Sequence, residues 1–194
     1  YFSEDMWSLI RVPEPTKPIL GGIMLGVLGI FSFQVDGFPR VFGVGYDTIE
    51  SSLFSQLTLQ VTFGLLLLKL LATTLTLGSG GSGGIFAPSL FMGAMLGGTF
   101  GHIAHSIFPE TVAPSGAYAL VGMAAFFGGV AHAPITAILI LFEMTGDYQI
   151  ILPLMLATVV STIVSRNVSR DSIYTLKLKR RGVVLSEATQ AIDL

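Results

Sequence analysis

An uncharged, glycine-rich stretch separates two long apolar segments: Gly78-Ser79-Gly80-Gly81-Ser82-Gly83-Gly84-Ile85-Phe86-Ala87-Pro88. In hydrocarbon an unpaired backbone amide or carbonyl is so unfavourable that non-helical backbone persists only inside protein or beside a polar cavity. The apolar residues that follow predict a helix from Pro88 to about Ile107. A helix N-terminus is therefore expected directly after the glycine-rich stretch. The unpaired amides and the macrodipole of a helix N-terminus favour the binding of an anion.

The amino-acid composition predicts an integral membrane protein. Hydrophobic residues make up 52% of the 194 residues, charged residues make up only 11%, and the mean hydropathy is +0.76. A soluble domain has roughly 25% charged residues. The formal net charge of -2 gives no indication of a nucleic-acid partner, and the absence of cysteine excludes disulfides and thiolate metal ligands within this sequence. Basic residues cluster at 177–181, which predicts a cytoplasmic C-terminus.

Apolar segments of unequal length predict an all-α, multi-pass fold. The longest, 53–77, is about 37 Å long as a helix, enough for a hydrocarbon core of roughly 30 Å. Further helices are predicted at 18–33, 43–52, 117–130, 135–144, 150–164 and 174–182. Several are too short for a full crossing, which favours a transporter or channel fold with broken helices and a site where helix ends meet.

Two features inside these segments have competing interpretations. Gly93, Gly97 and Gly101 recur every four residues on one helix face, a small-xxx-small pattern that predicts close helix packing. Lys69 is the charged residue within the longest apolar segment. It either snorkels or faces protein as a structural residue, or it belongs to an ion path.

A site at the glycine-rich stretch must bind through dipoles. Between Gly78 and Phe142 the only formally charged side chain is Glu110, in a predicted loop. The predicted donors are the backbone N–H groups of Ile85 and Phe86, with Gly84 close by. Fixed amides bind an anion without an opposite full charge that would trap it, which suits conduction.

Other classes of site fit the sequence less well. A phosphate-binding P-loop needs Lys and then Ser or Thr after its last glycine, and Ile85-Phe86 stands there instead. A flexible linker and a glycine packing corner without a ligand remain as alternatives. A hydrolase using Ser82 or Ser89 with His102 lacks an ordering acid nearby, so we expect no enzyme activity.

The remaining ionisable residues predict structural roles. His102, His105 and His132 have no acidic or cysteine ligand near them in sequence, so we expect histidines on helix surfaces and no metal site. Glu143 precedes a Thr-Gly-Asp turn, where a carboxylate at a helix end is paired or solvated.

The segment Gly84-Ile85-Phe86-Ala87-Pro88 resembles the GxFxP signature of the CLC family of chloride channels and proton-coupled chloride antiporters. The similarity continues in the family's order through 77–98, 132–136, 141–145, 147–149 and Tyr174, which falls where the family keeps its pore tyrosine. It covers nearly the whole chain, from about Pro15 to Arg181.

The resemblance implies the second, inverted-repeat half of a CLC transmembrane domain at 1–181, followed by the start of a cytoplasmic tail at 182–194. It implies that the amides of Ile85 and Phe86 and the hydroxyl of Tyr174 coordinate chloride, the transported ion, with Gly84, Phe86 and Pro88 as the selectivity motif. No cofactor is implied. The implied partners are a second subunit in a homodimer, the amino-terminal half of the domain, membrane lipid and, in many members, cytoplasmic CBS domains.

Some parts of the family pattern are absent from these residues. The GSGIP loop, the GKEGP loop with its gating glutamate and the internal proton glutamate do not occur in the sequence. The choice between channel and antiporter therefore stays open, and we expect a location in a bacterial inner membrane. A membrane scaffold that transports nothing is the alternative function.

Overall fold

The computed structural model describes residues 13, 16–37, 40–146 and 148–180. Within these ranges every regular element is an α-helix. The helices are Lys17–Asp36 (α1), Tyr46–Leu53 (α2), Leu59–Gly78 (α3), Phe86–Ile107 (α4), Ser115–Ala131 (α5), Pro134–Thr145 (α6), Ile151–Val168 (α7) and Ile173–Arg180 (α8). The chain divides into two compact units, Tyr1–Met123 and Ala124–Leu194.

The first unit is built around α4. Helices α2 and α3 pack against α4, and α1 packs against α3. The α4 side chains at the centre of this core are fully buried: Leu90, Phe91, Ala94 and Met95. Apolar residues of α1 face outward instead, and Ile19, Val27 and Ile30 are each more than 60% exposed. An apolar outer face of this kind is typical of a helix that contacts lipid.

Two stretches are long and apolar enough to cross a membrane. They are α3, with a mean hydropathy of 1.8, and Ile151–Leu176, with 1.6; the second stretch contains α7 and the first residues of α8. Shorter apolar helices lie at Lys17–Phe33, Ser115–Ala131 and Pro134–Thr145. The predicted mixture of spanning and shorter apolar helices is therefore present in the described part of the chain.

The prediction of one helix over 53–77 is wrong at its start. Helix α2 ends at Leu53 and α3 begins only at Leu59. The amides of Gln56 and Ser55 donate to the carbonyls of Ser51 (2.9 Å) and Ser52 (3.0 Å), with Ser55 left-handed at φ 57°. This is the pattern of a Schellman ending, which usually uses glycine. Because serine fills the left-handed position here, the sequence gives no sign of the turn.

Other helix bounds differ less from the predictions. Helix α4 begins at Phe86, two residues before Pro88, and α7 continues to Val168. Helix α8 was predicted to end near Gly182; it is described as far as Arg180. Residues 181–194, with the predicted tail, and Asp147 lie outside the described residues.

Glycines allow α4 and the first half of α5 to approach at backbone distance. A Cβ atom added at Gly97 would collide with the carbonyl oxygen of Tyr118, and one at Gly101 would lie 2.8 Å from the Ser115 Cα. On the α5 side, a Cβ at Gly122 would lie 2.5 Å from the Gly93 carbonyl oxygen. These contacts are the close approaches that small residues permit between helices.

The second unit packs α6 against α7. The end of α5 also lies against α7, since a Cβ at Gly129 would be 2.6 Å from the Ser161 Oγ. The Ser165 Oγ donates to the Gly129 carbonyl at 2.6 Å. Helix α6 runs from Pro134 to Thr145, and the next residue, left-handed Gly146 (φ 62°), caps it by donating its amide to the Phe142 carbonyl at 2.8 Å.

Candidate functional site

Helix α3 ends in a Schellman motif within the glycine-rich stretch. The Gly81 amide donates to the Thr76 carbonyl at 3.0 Å, and the Gly80 amide donates to the Leu77 carbonyl at 3.2 Å. Gly80 is left-handed, with φ 81°. Glycine suits this position because it has no Cβ to clash in the left-handed region. The end of α3 and the break after it are therefore encoded locally.

Helix α4 starts directly after this break. Ser89 donates its amide to the Ile85 carbonyl at 3.1 Å, which is an i to i−4 helical bond. Pro88 has no N–H to donate. The amides of Ile85, Phe86 and Ala87 come earlier in the chain than the Ser89 amide, which makes this helical bond. Ile85 is the N-cap residue and makes no side-chain capping bond. The Ser89 hydroxyl instead donates to the Phe86 carbonyl at 2.6 Å.

The helix start lies near the surface of the first unit. Gly84 is exposed, and Ile85, Phe86 and Pro88 are half-buried. A Cβ atom added at Gly84 would meet nothing within 4 Å, whereas one at Gly81 would lie 2.9 Å from the Thr76 carbonyl oxygen. The packing of the described chain thus requires glycine at position 81 but leaves open space at 84.

A cavity of about 420 Å³ adjoins the same helix start. Its wall includes three residues of the family-like signature, Gly84, Ala87 and Pro88. The lining also includes Val41 and Gly43 from the loop before α2, and Lys69 from α3. The sequence did not reveal this cavity, because its lining residues come from segments far apart in the chain.

Lys69 faces protein. The residue is only 3% exposed, and its Nζ atom donates to the carbonyls of Val41 at 2.9 Å and Gly43 at 2.8 Å. The ammonium also lies 4.7 Å from the centre of the Phe91 ring. Snorkelling to a membrane surface is therefore excluded for this side chain.

Tyr174 lies in the first turn of α8, in the second unit. Ser172 caps this helix, since its Oγ accepts the Thr175 amide at 3.2 Å, as serine does at many helix starts. Tyr174 is 45% exposed. Ile85 and Phe86 share one turn of α4 in the first unit, so the three predicted ligands belong to two separately described units.

The other ionisable residues considered in the sequence belong to α4, to α6 and to the break before α6. His102 and His105 are on α4, and Glu143 is exposed near the end of α6. His132 was predicted on a helix surface, but it lies in the break between α5 and α6, left-handed at φ 57°. Its Nε2 is 3.2 Å from the Ser165 Oγ, which holds the ring against α7.

Neither a metal site nor a serine hydrolase is supported. The described residues contain no group of three or more His, Cys, Asp or Glu that could hold a metal ion. Ser89 and His102 are on one helix, thirteen residues and so about 20 Å apart along its axis. Ser82 precedes that helix and is exposed. The pairing of either serine with His102 is therefore wrong.

A family model and two curated relatives that match this chain are all described as chloride channels. The family model described as "Voltage gated chloride channel" matches residues 1–166. The "Voltage-gated ClC-type chloride channel ClcB" of Escherichia coli, in strain HS and in the Crooks strain, is 36% identical over 165 residues. These matches cover 85% of this chain and 38% of each relative.

A solved structure, the "X-ray crystal structure of a slow cyanobacterial Cl-/H+ antiporter", resembles the fold with a TM-score of 0.77 and 29% sequence identity. The match covers 92% of this chain and 41% of that protein. The predicted all-α membrane fold is confirmed, and the chain spans about two fifths of the length of these relatives. The chain belongs to the voltage-gated chloride channel family.

Proposed function

We propose that this chain forms the second, inverted-repeat half of a transmembrane domain that transports chloride across a membrane. The observation that carries the proposal is the start of α4 at the family-like signature, where the helical hydrogen bonds begin with the Ser89 amide on the Ile85 carbonyl. No side-chain cap is made by the N-cap residue. A helix start of this kind is suited to an anion.

In this proposal the amides of Ile85 and Phe86 and the hydroxyl of Tyr174 coordinate the ion. Gly84, Phe86 and Pro88 form the selectivity motif, and the open space beside Gly84 lets an ion approach the backbone. Residues 1–181 belong to the transmembrane domain and 182–194 to a cytoplasmic tail. Uncharged donors replace part of the hydration shell yet hold the ion weakly enough for release.

The proposed protein is a multi-pass membrane homodimer without a cofactor, in a bacterial inner membrane, and its C-terminus is cytoplasmic. A preceding half supplies the remaining loops of the anion path, and CBS domains are possible partners on the cytoplasmic side. The relatives are named both as a channel and as an antiporter, so the proposal covers transport in either mode.

A membrane scaffold is the competing function, and the close α4–α5 packing at Gly97 favours it as a second candidate. Packing glycines explain close helix contact, but they do not explain why a family-like signature stands at the helix start, where the N-cap residue makes no side-chain capping bond. Calorimetric titration of the purified protein with chloride separates the two functions. A transporter binds the halide, whereas a scaffold shows no binding heat.

The test of the site is chloride flux from vesicles that contain the complete protein carrying this chain. Tyr174→Phe removes only the hydroxyl and Tyr174→Ala removes the whole ring; both are expected to lower chloride affinity or alter anion selectivity. Tyr148→Phe is the matched control, since Tyr148 is 75% exposed and contacts the ring of Phe142. Unchanged affinity, selectivity and coupling in both Tyr174 variants would contradict the placement of Tyr174 at the ion.

A further inference from the structure

Lys69 is a cation buried in the interior of the first unit. Its Nζ atom donates to the Val41 and Gly43 carbonyls, 28 and 26 residues earlier in the chain. Lys69 forms no ion pair with a carboxylate in the part of the chain that the structure describes. A buried charge is normally paired because its desolvation is costly, so this lysine calls for an explanation.

Two backbone carbonyls do not by themselves require a charge. A neutral amide side chain also offers two N–H donors, and it is removed from water at a smaller cost than an ammonium ion. The Phe91 ring, 4.7 Å from Nζ, attracts the cation but does not neutralise it. A purely structural role for Lys69 therefore accounts for its two hydrogen bonds. It does not explain why the side chain that makes them is a positively charged one.

The position of Lys69 links three segments around the signature. Lys69 lies on α3, its carbonyl partners lie in the loop before α2, and Phe91 lies on α4. The same loop contains left-handed Gly45 (φ 78°), where an added Cβ would lie 2.6 Å from the Phe91 ring. The loop thus packs closely against α4 at Gly45, and Lys69 hydrogen-bonds the same loop to α3.

Lys69 also lines the cavity beside the signature. Lys69, Val41 and Gly43 line the cavity of about 420 Å³ together with Gly84 and Pro88. A unit charge in a wall of low dielectric acts on a nearby ion more strongly than a charge at an open surface. Among the described residues that line the cavity, Lys69 is the charged one, and a positive charge in the wall favours anions over cations inside the cavity.

We propose that Lys69 is a positioning and electrostatic residue of the anion path. It holds residues 41–43 as one wall of the cavity beside Gly84 and Pro88, and it makes the potential of that cavity positive. The link to chloride rests on the proposed function, but the positive potential is a property of the cavity that is measured without transport.

A cysteine at Val44 reports that potential. Val44 lines the cavity and is 41% exposed, and the sequence contains no native cysteine. In Val44→Cys protein without other cysteines, the modification rate is measured with anionic MTSES and with cationic MTSET. We expect the MTSES to MTSET rate ratio to fall about three- to tenfold in Lys69→Met and to recover in Lys69→Arg.

Two further measurements guard against a folding defect. Lys69→Gln keeps two N–H donors without the charge, and it is expected to lower the rate ratio as Lys69→Met does. In the Val44→Cys protein that keeps the native Lys69, the rate ratio is expected to fall as the salt concentration is raised, because salt screens the charge. Phe54→Cys, 67% exposed and outside the cavity lining, is the control position, where the ratio should not depend on Lys69.

The results separate this inference from the proposed function. A rate ratio at Val44→Cys that is unaffected by both Lys69 substitutions and by salt overturns the inference, and so does failure of both reagents to react. An absence of chloride flux and chloride binding in the wild-type protein would overturn the proposed function, whatever the MTSES to MTSET rate ratio. If both hold, Lys69→Met should weaken chloride binding at least about fivefold relative to Lys69→Arg.

Discussion

The Ser89 amide donates to the Ile85 carbonyl at 3.1 Å, and this hydrogen bond marks the beginning of the α4 ladder. Pro88, between them, donates nothing to the ladder. The Ser89 hydroxyl is directed to the Phe86 carbonyl at 2.6 Å, so it acts within the first turn and does not cap the helix. The α4 start thus combines a proline in the first turn with an N-cap residue that has no capping side chain.

Gly84→Ala is expected to leave folding intact and to lower chloride transport. In the described part of the chain, no neighbouring segment comes within 4 Å of a Cβ at this position, but the methyl group adds bulk beside the proposed ion. The melting temperature and the chloride flux are measured together. Gly81→Ala is the contrast, because its Cβ would lie 2.9 Å from the Thr76 carbonyl oxygen and should lower the melting temperature. Full flux in Gly84→Ala would show that an ion does not approach this backbone.

Gly97→Ala is expected to destabilise the first unit by about 1 to 3 kcal/mol, since overpacking forces backbone shifts. The added methyl group would collide with the Tyr118 carbonyl oxygen on α5. Thermal unfolding in detergent measures the loss. Gly64→Ala in α3 is the matched control, because no other segment of the described chain comes within 4 Å of a Cβ at this position and alanine favours a helix interior. Equal melting temperatures for the two variants would contradict close packing at Gly97.

Gly80→Ala is expected to cost about 1 kcal/mol, because a Cβ is unfavourable in the left-handed region. Gly80 has φ 81°, and beyond its chain neighbours no described residue comes within 4 Å of an added Cβ, so the expected cost comes from the backbone conformation. Gly80→Asn should be milder, since asparagine adopts this conformation more readily. Melting temperatures that decrease from wild type to Gly80→Asn to Gly80→Ala would support the Schellman ending. A Gly80→Ala variant as stable as wild type would argue against it.

Ser172→Ala is expected to loosen the first turn of α8, because the Thr175 amide loses its acceptor at 3.2 Å. A lost N-cap costs about 1 kcal/mol, so hydrogen exchange of amides near Tyr174 should become about fivefold faster. Ser172→Asp keeps an acceptor and should exchange at the wild-type rate. Identical protection in Ser172→Ala would mean that the cap does not hold this turn.

Several features of the fold could be predicted because short-range chemistry decides them. The break between α3 and α4 follows from glycine at the left-handed position 80 and from Pro88 in the next helical turn. The end of α6 follows in the same way from Gly146. The turn at Ser55 escaped prediction because a non-glycine residue holds a left-handed conformation there, which local propensity disfavours.

The sequence by itself determined a membrane-embedded, all-α chain with a helix start at a family-like signature, since composition, glycine spacing and proline act locally. Only the tertiary structure decided the environment of Lys69 and the cavity beside Gly84. The partners of Lys69 are 26 and 28 residues away in sequence, and only the packing of α3, α4 and the preceding loop brings them together. A buried charge acquires its role from the atoms packed around it, and no local pattern encodes those.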